Sequence, residues 1–124
     1  MFAPIFDTLE SNAAVAAALG SPLRAFSFGE VVGQPTTTPY LVWQNISGTP
    51  YNYLGQLPDK DDVSLQVDVY DATAAGARQT ARVARDALEG VCYMVSGPRE
   101  IKDTDTKLFR VSMDFDWIID HNEV

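Results

Sequence analysis

The chain has 124 residues, 46% of them hydrophobic and 21% charged, which is typical of one globular domain, so we expect a single domain over residues 1–124. Seventeen acidic residues against nine basic ones give a formal net charge of −8, which disfavours nucleic-acid wrapping and binding to anionic membranes. One cysteine, Cys92, excludes a disulfide framework within the chain and a multi-cysteine zinc site. We expect this thiol to be a small buried side chain.

Apolar residues at helical spacing predict an amphipathic helix over residues 2–19. The stripe consists of Phe2, Ile5, Leu9, Ala16 and Leu19. Gly20 and Pro22 supply a stop signal after it. Asp7 and Glu10 interrupt the apolar stretch, so neither a signal peptide nor a membrane span is predicted, and we expect a soluble protein made in a cytoplasm.

Two strands are predicted next, over residues 23–32 and 40–46, separated by a segment with two prolines and no apolar residue. Residues 50–62 combine two tyrosines, proline, glycine and a charged end. This composition predicts a long, mobile loop.

Strict alternation of apolar and polar residues predicts a strand over residues 63–70. Thr73 is placed to cap a helix over residues 74–90, which Gly90 ends. The predicted buried stripe of this helix is Ala77, Ala81, Ala84, Leu88 and Val91. Because most of these side chains are alanines, the helix can lie very close to the sheet that covers it.

Residues 93–101 and 107–119 are predicted as two strands of a hairpin, joined by short polar turn residues at 102–106. The element order predicts an α+β fold, with a mainly antiparallel sheet of four to five strands. The N-terminal helix and the second helix pack on one face of this sheet.

The sequence contains only weak candidates for catalytic residues. The single histidine, His121, lies in a polar terminal segment, where a solvated tail is the simpler interpretation. Asp114 and Asp116 share one face of a predicted strand and are the pair that a small metal-dependent hydrolase would use. Polar residues alternate with apolar ones on any half-buried strand, so a solvated face is the alternative. No catalytic, cofactor or metal residue is assigned.

Three arginines, Arg78, Arg82 and Arg85, recur at helical spacing and form a basic ridge on an otherwise acidic chain. One interpretation is a solvated helix face partly paired with Asp86 and Glu89. The other is an interface, because arginine is enriched in protein contacts.

The predicted 50–62 loop contains two further groups of candidate interface residues. The acidic group, which can meet the basic ridge of a neighbouring copy, is Asp59, Asp61 and Asp62. The apolar group is Tyr51, Tyr53 and Leu54, which either packs back on the domain or anchors a partner.

The succession of elements resembles the tail-completion (tail-terminator) family of long-tailed bacteriophages over nearly the whole chain. After the N-terminal helix, the segments that carry the resemblance are Pro39–Val42, the strand Val63–Tyr70 leading into an Ala/Arg-rich helix that ends Ala87–Leu88, the turn Asp103–Thr106, and Phe109–Val111 opening a Phe/Asp strand.

This resemblance implies a structural virion protein, not an enzyme, that is often monomeric alone and closes as a hexameric ring on the tail tube at its head-proximal end. There it would stop tube polymerisation and join the head-completion proteins, with DNA passing through the lumen without specific binding and no cofactor. Assembly would occur in the host cytoplasm. From the length and the tyrosines of the predicted 50–62 loop, we expect it to be mobile in the monomer and ordered in the ring. Another small neck or connector protein of the same particle is the nearest alternative.

Overall fold

The computed structural model describes residues 4–20, 22–27, 37–50, 60–105 and 107–120, with only the backbone described at 47–50, 60–62 and 118–120. Several residues of the sequence predictions lie outside the described part: Phe2, Tyr51, Tyr53, Leu54, Asp59 and His121. Across the described ranges, no helix combines the length and hydropathy needed to cross a membrane.

The fold is α+β, as predicted. Its elements in chain order are α1 (Ile5–Glu10), α2 (Ala13–Leu19), β1 (Ala25–Ser27), β2 (Tyr40–Pro50), β3 (Lys60–Asp71), α3 (Ala74–Leu88), β4 (Tyr93–Lys102) and β5 (Phe109–Asp120). The five strands form one sheet in the order β1-β2-β3-β5-β4. All neighbouring pairs are antiparallel except β1 and β2, which run parallel.

The prediction of a single N-terminal helix is wrong, because the chain forms two short helices there. The break lies at Ser11 and Asn12, and the Asn12 side chain accepts a hydrogen bond from the Val15 backbone N–H at 3.1 Å, which caps α2. The break shifts the helical phase, so Val15 is buried where the continuous stripe predicted Ala16.

The hairpin of β2 and β3 is longer than predicted. Residues Pro50 and Lys60–Asp62, expected in a loop, belong to strands, and the Cα partner of Asp61 is Pro50. Residues 51–59, which connect the two strands, lie outside the described part. The ladder adds cross-strand hydrogen bonds that favour strand over loop at these positions.

Helix α3 begins as predicted, because the Thr73 hydroxyl accepts a hydrogen bond from the Gly76 N–H at 3.0 Å. Such a cap contributes about 1 kcal/mol to stability. Its buried side comprises Ala77, Thr80, Ala81, Ala84 and Leu88. Val91, predicted to extend this side, is exposed, because the helix ends at Leu88 with Glu89 as its C-cap.

The helices cover only part of one sheet face. Helix α3 packs over β3 and β5, and α1 reaches β2 through Phe6 and Trp43, whose ring centroids are 6.2 Å apart. The core between the layers includes Leu65, Val67 and Phe115. Strand β4, at the sheet edge, is exposed along almost its whole length. An uncovered strip of sheet therefore lies beside α3.

Candidate interaction surface

The basic ridge of Arg78, Arg82 and Arg85 lies on the side of α3 that faces β4. Arg78 donates two hydrogen bonds to Glu100 of β4, from Nε to Oε1 at 2.5 Å and from Nη2 to Oε2 at 2.9 Å. Arg85 pairs with Glu89 at 2.8 Å. Within the described part of the chain, Arg82 makes no ion pair and remains exposed.

The predicted pairing of the ridge within α3 is therefore only partly correct. The Arg85–Glu89 pair follows the helical i,i+4 rule, as expected. The Arg78–Glu100 pair was missed, since Glu100 lies 22 positions away on another strand. The hydrogen bonds from Arg78 lower the pKa of the Glu100 carboxyl, and the same hydrogen bonds raise the pKa of Arg78. Both side chains are largely exposed, so solvent screens the attraction.

A groove runs between α3 and β4, and the Arg78–Glu100 pair bridges it. On one side of this bridge, the groove has an apolar floor of Val111 and Met113. Its other lining residues are Ala81, Arg82, Arg85 and Pro98. The groove thus offers apolar contact below and guanidinium groups at the rim, which suits a partner segment carrying both apolar and acidic side chains.

The outer strand β4 is irregular and partly apolar. Its register against β5 shifts twice between Met94 and Arg99. Gly97 lies at the second shift with φ +101°, and a Cβ there would approach the Ser112 carbonyl oxygen to 2.8 Å, so only glycine fits without strain. Such bulges and Pro98 impede regular strand addition at a sheet edge. Contacts at this edge are therefore expected through side chains.

Large apolar side chains are exposed along this same edge. They are Val91, Tyr93, Val95 and Ile101, and among the described residues only Ile46 on β2 joins them as a large exposed hydrophobic. Single exposed apolar residues are ordinary on a soluble protein. Here the four lie between Val91 and Ile101, and the strand register places Tyr93 opposite Asp116 and Ile101 opposite Arg110, on the open face of the sheet.

Charge is distributed unevenly between this edge and the rest of the molecule. The segment from Ala74 to Lys102, which holds α3 and β4, contains five of the nine basic residues but only three of the seventeen acidic ones. The remaining chain is therefore strongly acidic.

The predicted acidic counterpart is only partly described. Asp61 and Asp62 lie at the start of β3, where their Cα partners on β5 are Ile119 and Ile118. Asp59, Tyr51, Tyr53 and Leu54 lie outside the described residues. The structure therefore places the backbone of two of the three aspartates at the loop end of the β2–β3 hairpin.

Asp114 and Asp116 occupy the open face of the sheet, opposite the helices. Arg99 donates to both carboxylate oxygens of Asp114, at 3.2 and 3.3 Å, whereas Asp116 accepts from the Ser64 hydroxyl at 3.0 Å. In the described ranges, no group of three or more His, Cys, Asp or Glu side chains could hold a metal ion. The arrangement is that of a polar sheet face facing water.

The same open face carries an aromatic and guanidinium cluster that the sequence analysis missed. Tyr40 and Tyr70 stack with ring centroids 5.0 Å apart. A hydrogen bond with Tyr70 raises the pKa of Arg110, and burial raises the pKa of Tyr40. The alternation of β5 identifies Arg110 as open-face, but only the register between strands brings it beside Tyr70.

Cys92 is buried, as predicted, just beyond α3. Its Sγ donates to the Leu88 carbonyl oxygen at 3.2 Å, and burial raises the pKa of the thiol to about 12. The thiolate form that a nucleophile requires is therefore disfavoured at neutral pH.

Comparison with known proteins identifies a family and solved structures with a similar fold. A family model described as tail completion protein gp17 matches residues 3–120. No curated protein matches the chain. A chain in the virion of a native gene transfer agent particle is 14% identical with a TM-score of 0.69, covering 94% of this chain and 91% of that one. The gp17 protein of bacteriophage SPP1 is 18% identical with a TM-score of 0.57, covering 95% and 87%.

At these identities the two structures establish a shared fold. The family model spans nearly the whole chain and includes every described element. The resemblance found in the sequence is thus confirmed, and with it the assignment to structural proteins of the virion tail. The chain belongs to the tail completion protein gp17 family.

Proposed function

We propose that the protein forms a ring, of six subunits, at the head-proximal end of the phage tail tube. There it stops polymerisation of the tube protein and provides the joint to the head-completion proteins. The observation that carries this proposal is the family match over residues 3–120. On this proposal the protein is a structural component and performs no catalysis.

The surface described above supports ring formation. A ring with cyclic symmetry needs two different patches on each subunit, because each copy contacts the next one head to tail. The α3–β4 edge supplies a basic and partly apolar patch, while the rest of the chain is acidic. These unlike surfaces favour a contact that repeats around a ring.

Passage of DNA is compatible with the same charge balance. Binding to phosphates depends on Lys and Arg contacts, whereas this chain carries a net charge of −8. An acidic ring repels the DNA backbone and leaves it mobile, so DNA would pass through the lumen without specific binding.

A second candidate is another small neck or connector protein of the same particle, which would also form rings. The hydrolase alternative would need the Asp114 and Asp116 carboxylates to act on one substrate or metal. Arg99 already neutralises Asp114, which disfavours that use. A protein mass measured with and without divalent metal tests this alternative, because it requires a tightly bound stoichiometric metal.

The terminator role is tested by adding the purified protein to polymerising tube protein and measuring tube lengths by negative-stain microscopy. We expect rings seated at one end of each tube and shorter tubes as the protein concentration rises. Deleting the gene should give overlong tubes without heads. Normal tube lengths together with failed head joining would instead support the neck or connector role.

A further inference from the structure

We infer that the groove between α3 and β4 of one subunit receives the acidic β2–β3 hairpin of the next subunit. This inference rests on the proposed ring and specifies its contact. The hairpin would bind in the part of the groove that lies beside Arg82 and Arg85 and has Val111 and Met113 as its apolar floor.

The chemistry of the hairpin complements the groove. Strand β2 of the hairpin ends at Pro50, and strand β3 begins at Lys60. The sequence between and just after these positions combines apolar residues with carboxylates, namely Tyr51, Tyr53, Leu54, Asp59, Asp61 and Asp62. Apolar side chains suit the floor, and carboxylates suit guanidinium groups at the rim.

Arg82 is the rim residue that is most readily available to such a partner. Arg78 is held by Glu100 and Arg85 by Glu89, whereas no described residue pairs with Arg82. A neighbour's carboxylate can therefore bind Arg82 without displacing an existing ion pair. Arginine is also the basic residue most enriched in protein interfaces.

The geometry requires the hairpin to come from another copy. Met113 in the groove floor pairs with Val67 of β3, seven positions from Lys60, which is about 23 Å along the strand. Residues 51–59 must leave β2 and return to β3, so they reach at most about 15 Å from the strand ends. A chain therefore cannot fill its own groove with this segment.

The strands of the sheet also begin at different levels, so the β2–β3 hairpin extends beyond the start of β4. Strand β4 begins opposite Asp116 of β5, whereas β3 begins opposite Asp120. The β2–β3–β5 part thus extends about 13 Å beyond the start of β4. Groove and hairpin are different surfaces on each copy, so the contact is heterologous and can close a ring.

The test is a charge-reversal cycle of Arg82→Glu, Asp61→Arg and the double variant, read by negative-stain counts of rings seated on assembled tail tubes across a concentration series of the protein. Each single variant should raise the midpoint concentration for ring formation by about tenfold or more, and the double variant should restore it. Two controls make the same charge changes elsewhere, Lys107→Glu and Asp105→Arg, both at exposed positions of the β4–β5 turn. Neither should shift the midpoint.

Circular dichroism of each variant separates lost assembly from lost folding. Rings formed equally well by both single variants would overturn the groove inference while leaving the proposed ring intact. Single variants that weaken the ring without rescue in the double variant would also overturn the Arg82–Asp61 contact. A wild-type protein that forms no ring, even on assembled tubes, would overturn both proposals.

Discussion

On one side of α3, Ala77, Ala81 and Ala84 contact the sheet and are at most 5% exposed, whereas on the other side Arg82 stands in solvent beside β4. The alanine side allows close approach of helix and sheet, so it contributes to stability through packing. The arginine side contributes little to folding, because exposed ion pairs are weak. One helix therefore separates the requirements of folding from those of assembly, and substitutions on its two sides should have different consequences.

The largest effect is expected at the end of the packed side. Leu88 is fully buried, so Leu88→Ala should lower the free energy of unfolding by about 2–5 kcal/mol. Val91, three positions later, is 53% exposed, so Val91→Ala should change the free energy of unfolding by less than about 0.5 kcal/mol. Urea unfolding of the monomers measures both values. Similar losses at the two positions would contradict the burial difference.

A smaller effect is expected from adding volume within the alanine side. Ala84 is buried against the sheet, so Ala84→Leu should destabilise the fold by about 1–3 kcal/mol through overpacking. Ala75→Leu, at an exposed position of the same helix, is the matched control and should be close to neutral. If Ala84→Leu were instead stabilising in thermal unfolding, the helix would not be closely packed on the sheet.

The sequence predicted this packed side well because its signals are local. Thr73 caps α3 through a residue three positions away, and the alanine spacing defines the buried side of the helix. The alternation in β3 and β5 likewise identifies which residues face the core. These patterns depend on the period of each element and need no knowledge of its neighbours.

The predictions failed where distant parts of the chain decide the outcome. The Arg78–Glu100 pair depends on the register of β4, which shifts twice before it reaches Glu100. The length of the β2–β3 hairpin depends on pairing between strands, and its composition had suggested a loop. The break between α1 and α2 was readable in principle, since Asn12 is a favoured N-cap residue, but the continuous apolar stripe concealed it.

The smallest effect is expected on the arginine side, at Glu100. Its hydrogen bonds with Arg78 hold the carboxyl pKa below its ordinary value, so at acid pH the unfolded state binds more protons than the folded state. The contribution of the pair to folding stability is therefore fully present at a pH above the ordinary glutamate pKa of about 4.3, and it is lost as the pH falls through the lowered pKa of Glu100. Because both groups are exposed, Glu100→Gln should alter stability only slightly at neutral pH.

The stability difference between wild type and Glu100→Gln, measured by urea unfolding, should stay constant above about pH 5 and disappear at lower pH. High salt should reduce it at neutral pH, because mobile ions screen exposed charges. Repeating the substitution in an Arg78→Met background supplies the control, since the carboxyl there has lost the partner that lowers its pKa. A difference that grows on acidification, or that persists without Arg78, would contradict the pairing and leave the groove without its bridge.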